Sequence, residues 1–560
     1  MKNYNICIKT ALAVFALSLS ACSSDDDIAD NNSNSQEKPV TNKTMTFRAT
    51  MDDGSGSNSK ATRTNFNGNN TIWATDDNIY IQNKASVPDE TDRPAYAEFG
   101  ITNGVGTKDA DFSGGPIRAN MDGTSDQFYA YYPSSSFDTN REVMAGNIPT
   151  VQTATDGTYP QTLHYMTAYS TNSTFKFKNV CALLKITLTG NGSTNTNPVC
   201  RVKVVANPTL SAMNAQEFTY TNIAGGFTAT IGSDGTATTT ATGTKNTYVE
   251  LHAAGDNTAK TSLGNGTFYM VVLPAAINGF TLILEDKDEN VYQRVNTSRT
   301  AFARNEMYNL GSYDCTSATT LLNSGLTSFG NDVVDLDLPS GTLWAKKNLN
   351  SKNGLLQNNP EILGFTSSET DYGGYFSFGK KSVYAIGLYA GSKPELDEST
   401  LKNAYDPAYS YASFNQKYCM PIYAQLYEFY NHFSNDYKQS FISRTWGVAT
   451  NGYAIFTAPT GTGRTITMPY TGHYMGGTIL KNEHTHMSYW SRTAQDQGAN
   501  LNPLDWASSY CLETEEKTVN GKNVPEQVNA GGGSNAWVDD AYTGRAIRPV
   551  ATNIKIAPIK

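Results

Sequence analysis

Few residues in this chain of 560 stand in a pattern that could do chemistry. His484 and His486, with Thr485 between them and Glu483 ahead, would share one face of a strand, a spacing compatible with a divalent metal. Two ligands at that spacing do not make a zinc site without a third, so no metal is assigned. Asp52-Asp53, Asp76-Asp77 and Asp539-Asp540 pair carboxylates as a general acid and base would, but each falls at a strand end, where aspartate makes turns. The chain has no Gly-x-Ser-x-Gly elbow, no His-Glu-x-x-His helix and no phosphate-binding glycine loop. Neither a cofactor nor an enzyme activity follows from these residues.

The clearest chemical residue is Cys22. Lys2 and Lys9 precede the apolar run Ala11 to Leu19, which ends in Leu19-Ser20-Ala21-Cys22. That is an export signal, and it is shorter than the roughly 20 apolar residues a spanning helix needs. The Leu-Ser-Ala-Cys segment resembles the lipobox of bacterial lipoproteins, which implies cleavage before Cys22 and a lipid on its thiol, with an outer-membrane, cell-surface location. Ser23 to Thr44 is polar, acidic and aperiodic, and reads as a disordered tether. The triple aspartate Asp25-Asp26-Asp27 resembles the sorting signal of surface-exposed lipoproteins. Removing residues 1–21 takes away two lysines and no acid, so the mature chain carries a net charge of about -11. Such a balance argues against nucleic acid, whose binders cluster positive charge. Five cysteines then accompany Cys22, an odd number for an exported chain. Cys181 reads as a small buried hydrophobe, and Cys419 with Cys511 could form a disulfide, although spacing alone does not fix the pairing.

The elements that must position these groups are strands. At roughly 100 to 200 residues per domain the chain holds about three to four domains. Charged residues are only 17%, and tyrosine, at 33 residues, outnumbers tryptophan, at 6, in a body rich in Thr, Asn and Ser. This composition favours strands and turns over helices. Met45-Thr46-Phe47-Arg48-Ala49-Thr50-Met51 alternates and then breaks at Asp52-Asp53-Gly54. Further runs lie at Asn78 to Ile81, Gln127 to Pro133, Phe175 to Lys178, Ala182 to Leu188, Thr267 to Pro274 and Gly279 to Asp286. So many short antiparallel strands pack most naturally as two β-sandwiches.

The ordered set Phe47-Arg48-Ala49-Thr50, Arg63-Thr64 ahead of Ile72-Trp73, Tyr131-Tyr132-Pro133, Phe175-Lys176-Phe177 into Ala182-Leu183-Leu184, Val272-Leu273-Pro274 and Tyr308-Asn309-Leu310 resembles the fimbrillins over about residues 45 to 314. The resemblance implies a lipoprotein pilus subunit with two transthyretin-like β-sandwiches. It also implies that a protease removes the first strand after an Arg or Lys and that a strand from another subunit fills the groove. The flexible loop Gly54 to Arg63 then offers Arg63 as the cleavage residue, with Lys60 second.

After Leu310 the texture changes. Ser317 to Asn331 reads as a linker, and Tyr423 to Phe433 carries Leu426, Phe429, Tyr430 and Phe433 at helical spacing. The series Thr342-Leu343-Trp344-Ala345, Tyr372 to Gly379, Cys419-Met420-Pro421, Tyr489-Trp490-Ser491-Arg492-Thr493 and Arg545 to Val550 resembles a secreted domain related to the C-type lectin-like and sulfatase-modifying folds. Tyr418-Cys419 departs from that pattern, which usually has Trp-Arg, and the Trp537-Val538-Asp539-Asp540 run replaces the Trp-Asn-Asp of calcium-dependent sugar sites. Tyr470, Tyr474, Tyr489, Trp490, Trp506 and Trp537 could build a stacking face, with Trp344 and Trp490 the more natural core residues. Trp537, Asp539, Asp540 and Tyr474 are therefore the candidate ligand residues.

The expected organisation is mainly β: signal peptide 1–21, tether 22–44, sandwiches 45–170 and 171–314, linker 315–332, and an α+β lectin-like domain 333–560. The expected function is a lipid-anchored fimbrial subunit, a tip adhesin that pairs with other pilins by strand addition and holds a host, bacterial or glycan ligand through its C-terminal domain. Only Ile554 to Ile559 remains as a candidate donor strand. A non-polymerising glycan-binding lipoprotein is the alternative, and a cryptic enzyme the third.

Overall fold

The computed structural model describes residues 45–51, 65–67, 70–84, 95–117, 126–139, 142–210, 218–232, 235–243, 246–351, 362–376, 396–397, 400–401, 406–431, 443–446, 453–458, 463–471, 473–475, 479–481, 486–494, 509–519, 522–530 and 545–552. Among them the chain is mainly β, with many short strands and three α-helices.

The first body is built from seven strands: β1 (Met45–Met51), β2 (Asn78–Asn83), β3 (Tyr96–Asn103), β4 (Asp109–Gly114), β5 (Phe128–Tyr132), β6 (Met166–Ser170) and β7 (Thr174–Asn179). They pair in the order β1-β7-β6-β5-β2-β3-β4 and close on themselves as a barrel. Where two open layers were expected, these seven strands close into one barrel, and β1 makes the last join, antiparallel to β4 and parallel to β7. Alternation decides which residues point in. Phe47, Ala49 and Met51 enter a core with Trp73, Ile79, Phe99, Phe112, Phe128 and Phe177, while Thr46 and Arg48 face outward.

Pairing crosses the boundary expected at 170/171. β7 belongs to the first body, whereas Val143–Ile148 pairs with Gly225–Ile231 and Val151–Thr153 with Tyr248–His252, both in the second. The reason is that hydrophobic pattern marks strands without naming their partners, and here the chain enters the second body before returning to finish the barrel.

The second body carries β8 (Val199–Ala206), β9 (Tyr248–His252), β10 (Phe280–Asp286), β11 (Val291–Asn296) and β12 (Thr327–Gly330), in a sheet of order Val151–Thr153, β9, β8, β10, β11, β12. A three-stranded sheet centred on Ala182–Thr189 lies across it, and Val202, Val204, Leu251, Leu282 and Leu284 meet Leu184, Ile186 and Met270 in one core. The segment expected as a linker folds. Ser317 caps α1 (Ala318–Asn323) in a reciprocal capping box, and β12 extends the sheet beside β11.

Residues from Val333 onward form the third region. β13 (Val333–Asp335), β14 (Leu343–Ala345), β16 (Tyr418–Cys419) and β17 (Val550–Ala551) make one sheet in the order β13-β14-β17-β16, with β15 (Ile362–Phe365) nearby. The helices are α2 (Pro407–Ser410), capped by Asp406, and α3 (Tyr423–Asn431). Leu426 and Phe429 are buried, as their helical spacing requires, against Trp344 and Phe456.

Candidate functional site

The expected chemistry of this chain is the loss and replacement of β1, and the geometry of that strand can be built residue by residue. Phe47 meets Phe99 edge-on at 5.2 Å and Phe128 at 5.1 Å, and stacks on Phe175 at 5.4 Å. Truncating a buried phenylalanine to alanine costs about 3 to 5 kcal/mol, so this one ring accounts for much of what seats the strand. Six register pairs tie β1 to β4, from Met45 opposite Gly114 to Thr50 opposite Asp109. Four more, Arg48 to Met51 opposite Thr174 to Phe177, tie it to β7. On the outer face Thr50 donates to Asp109 at 2.6 Å, and the Thr46 and Ser113 hydroxyls lie 2.9 Å apart. β1 donates no buried charge to the barrel.

The rest of the barrel is braced by contacts that do not involve β1, and at Asn179 the β7 wall is tied to the second body. Tyr132 Oη and Gln161 Nε2 donate to Asp77 Oδ1 at 2.7 and 3.1 Å. Arg304 Nε donates to the Asn179 carbonyl at 3.1 Å, a second guanidinium nitrogen reaches Thr167 Oγ1 at 3.2 Å, and the Asn179 amide donates to Asn305 Oδ1. Asp77 therefore serves a turn and a buried tyrosine, as a strand-end aspartate does.

A second seam, which the sequence pattern does not reveal, fixes the third region to the second body. The outward faces of β8, β9 and β10 are covered rather than wet. Arg201 is fully buried and bonds Glu250 at 2.8 Å, Glu285 at 2.9 Å, Asp335 at 2.6 Å and Asp337 at 3.0 Å. Lys203 bonds Asp335 at 2.9 Å and Asp337 at 2.8 Å, and lies 3.9 Å from the centre of the Tyr248 ring. Arg464 closes the network on Glu285 at 3.1 Å and Asp337 at 2.8 Å. Burial would push the Asp335 carboxyl up, but Lys203 and Arg201 more than reverse it and hold it below the ordinary carboxylate range. Glu250 is lowered in the same way, its burial outweighed chiefly by Arg201.

Polar and apolar contacts extend this seam. Thr247 Oγ1 donates to the Pro339 carbonyl at 2.5 Å. Glu428 on α3 accepts from the Ser340 amide at 2.8 Å, from the Ser340 hydroxyl and from Tyr220 Oη at 2.7 Å. Val205, Ile283 and Phe329 share a core with Val333, Leu343 and Trp490. Gly341, at φ +69°, passes so close that a Cβ there would lie 3.0 Å from Val205.

Of the residues singled out in the sequence, Cys22, Lys60, Arg63, Trp506, Trp537, Asp539, Asp540 and His484 lie outside the described residues, as do the side chains of Tyr474, His486 and Cys511. The stacking face is corrected in part: Tyr470 and Tyr489 are at most 2% exposed and belong to the core, where Trp344 and Trp490 lie as their strand motifs led one to expect. Cys419 is a free thiol, so the structure does not form the disulfide considered with Cys511. Burial pushes the thiols of Cys181, Cys200, Cys315 and Cys419 up to about 12, which leaves them inert as nucleophiles at neutral pH. Among the described residues no group of three or more His, Cys, Asp or Glu could hold a metal.

No family model matches the chain, and no curated protein matches it. Among solved structures it is similar to a Bacteroides uniformis protein provisionally assigned to cell adhesion, at 19% identity over 51% of this chain and 96% of that one, with a TM-score of 0.32. It is similar also to the C-terminally truncated tip fimbrial protein Mfa3 of Porphyromonas gingivalis, at 11% identity over 48% and 94%, TM-score 0.21. A third is a fimbrial protein from Bacteroides ovatus, at 10% identity over 86% and 95%, TM-score 0.21. These likenesses are distant, and the functional reading rests on this chain's own residues.

Proposed function

We propose that the chain is the precursor of a surface pilus subunit, anchored by lipid on Cys22 and converted by cleavage after Arg63 or Lys60 into a form that accepts a strand from another subunit. The observation that carries this reading is β1 itself. It closes the barrel as a single strand between β4 and β7, buries Phe47, Ala49 and Met51 with Met45 packed beside them, and leads into the segment that holds both basic residues. Removing it would leave two strand edges and an apolar groove, which is what an extended strand with alternating apolar residues recognises.

In this reading residues 333–560 are displayed at the tip as the adhesive region, with a lectin-like organisation, and the partners are other pilins below and a surface ligand above. Mass spectrometry of the mature protein from outer-membrane and sheared-surface fractions tests it. A start at Thr64 or Ala61 in sheared material is expected, and a start at Cys22 in every fraction would overturn strand exchange. That second outcome would favour the non-polymerising glycan-binding lipoprotein, a reading supported by the completeness with which β1 is seated.

A further inference from the structure

An open cleft of about 470 Å³ lies where the sheet edge of the second body meets the third region. Its volume falls within the roughly 300 to 1,000 Å³ of small-molecule sites. β12 and Asp332 form one side, and β15 and the 411–418 segment form the other. The floor is a set of rings in contact, Phe365 tilted on Phe414 and the other pairs edge to face. Phe365 meets Phe414 at 4.6 Å and Tyr418 at 4.9 Å, Tyr411 meets Phe414 at 5.0 Å, and Phe329 meets Tyr418 at 5.7 Å. Such packing fixes the rings in place before any ligand arrives. Phe365 and Tyr411 are only half-buried, and Leu363 beside them is 46% exposed, one of few large apolar side chains the described surface shows.

The rim is polar and electrically balanced. Asp332 and Ser413 are exposed, and Lys417 donates one proton to the Ser328 carbonyl at 2.8 Å, which leaves two others. A purely apolar ligand would strip water from these groups without replacing it, and an anion would meet Asp332. A molecule with one flat C–H face and a perimeter of hydroxyls satisfies both floor and rim. We propose that this interdomain cleft is a binding site for a neutral saccharide, one or two pyranose rings stacked over Phe365 and Tyr411 and hydrogen-bonded by Asp332, Ser413 and Lys417. The site deepens the adhesive part of the function proposed above by naming its ligand class. It does not depend on strand exchange, because no cleft residue belongs to the barrel.

The test titrates the full-length protein with glucose, galactose, N-acetylglucosamine, maltose and lactose, reading saturation-transfer NMR and calorimetry. At least one sugar should bind with a Kd on the order of 1 mM or tighter. Tyr411→Ala should weaken that sugar by about tenfold, the loss of one stacking surface. Asp332→Asn, an exposed change that keeps the shape of the rim, should weaken it several-fold with no change in thermal unfolding, so a folding defect at Tyr411 cannot account for the result. Absence of binding by every sugar would overturn the proposal, as would binding that survives both substitutions. Capture of free phenylalanine or tyrosine in place of the sugars would assign the cleft to another ligand class and overturn it as well. Strand exchange, read on the same protein from its mature N-terminus, succeeds or fails independently of these outcomes.

Discussion

The seam around β1 and the seam beneath residues 333–345 are made from opposite materials. β1 is held chiefly by ladder hydrogen bonds and by apolar side chains, with two exposed hydroxyl contacts at Thr46 and Thr50 and, among the described residues, no ion pair. The other seam is held by charges that are almost wholly buried, and Arg201 alone contacts four carboxylates on three different segments. Hydrophobic contacts tolerate replacement by anything of similar shape, whereas a buried charge demands its own partners at its own distances. The first seam asks only for shape and alternation, the second for particular charges at particular distances.

The sharpest way to break this contrast is Arg201→Met, which strands Glu250, Glu285, Asp335 and Asp337 with too little positive charge. Removing one partner of a buried pair costs about 3 to 5 kcal/mol, and this change should reach the top of that range. Amide exchange should rise in β8, β10 and β13 while the barrel stays protected. A loss under about 1 kcal/mol would show that the network does not hold the seam. Phe47→Ala should cost about 3 kcal/mol and act the other way round, raising exchange in β1, β4 and β7 and leaving the ion network intact. If both changes loosened the whole molecule equally, the two seams would be a single cooperative unit.

Glu428→Gln should be milder, about 1 to 2 kcal/mol, since it weakens charge-assisted bonds from Ser340 and Tyr220 without removing the side chain. Thermal unfolding with Tyr220→Phe in the same background separates the two contacts by a double-mutant cycle. The smallest effect concerns pH. The hydrogen bond from Lys260, and then that from Lys346, lowers Glu289 to about 2 from its ordinary 4.5. Its contribution is complete above pH 4.5 and disappears as the pH falls toward 2, so stability should decline over that window. Because Glu289 is 45% exposed, solvent screening limits the effect to a few tenths of a kcal/mol. Glu289→Gln should flatten the decline in that window, and an unchanged slope would remove Glu289 from the account.

Legibility in the sequence followed the same division. The alternation Phe47, Ala49, Met51 against Thr46 and Arg48 announces a strand with one buried face, and the structure places it so. In β8, Arg201 and Lys203 alternate with Val202 and Val204, and this pattern signals a solvent face when read alone. The structure buries that face because Asp335, Asp337 and Arg464, more than 130 positions away for the aspartates, return to cover it. Periodicity reports which face of a strand is polar, but not whether another part of the chain neutralises it. Tyr470 and Tyr489 mislead for the complementary reason. Aromatic residues serve both stacking faces and cores, and only the sheet that packs on them decides. The cleft could not be read at all, since it joins residues 328–332 to residues 363–365 and 411–418 across a junction expected to be a linker.

The slot that β1 fills also has an arrow. One wall runs parallel to it and the other antiparallel, so the two ladders are not interchangeable. A strand inserted backwards would exchange the two bonding patterns and shift its apolar residues against the pockets of Phe99, Phe128 and Phe175. A strand that reproduces both ladders must therefore point the way β1 points, and a joint in which one copy's strand fills the next copy's slot would be head-to-tail, with two unlike surfaces meeting. Unless two copies trade strands reciprocally, joints of that kind do not close into two-fold dimers. They propagate, and a fibre built from them would have distinguishable ends.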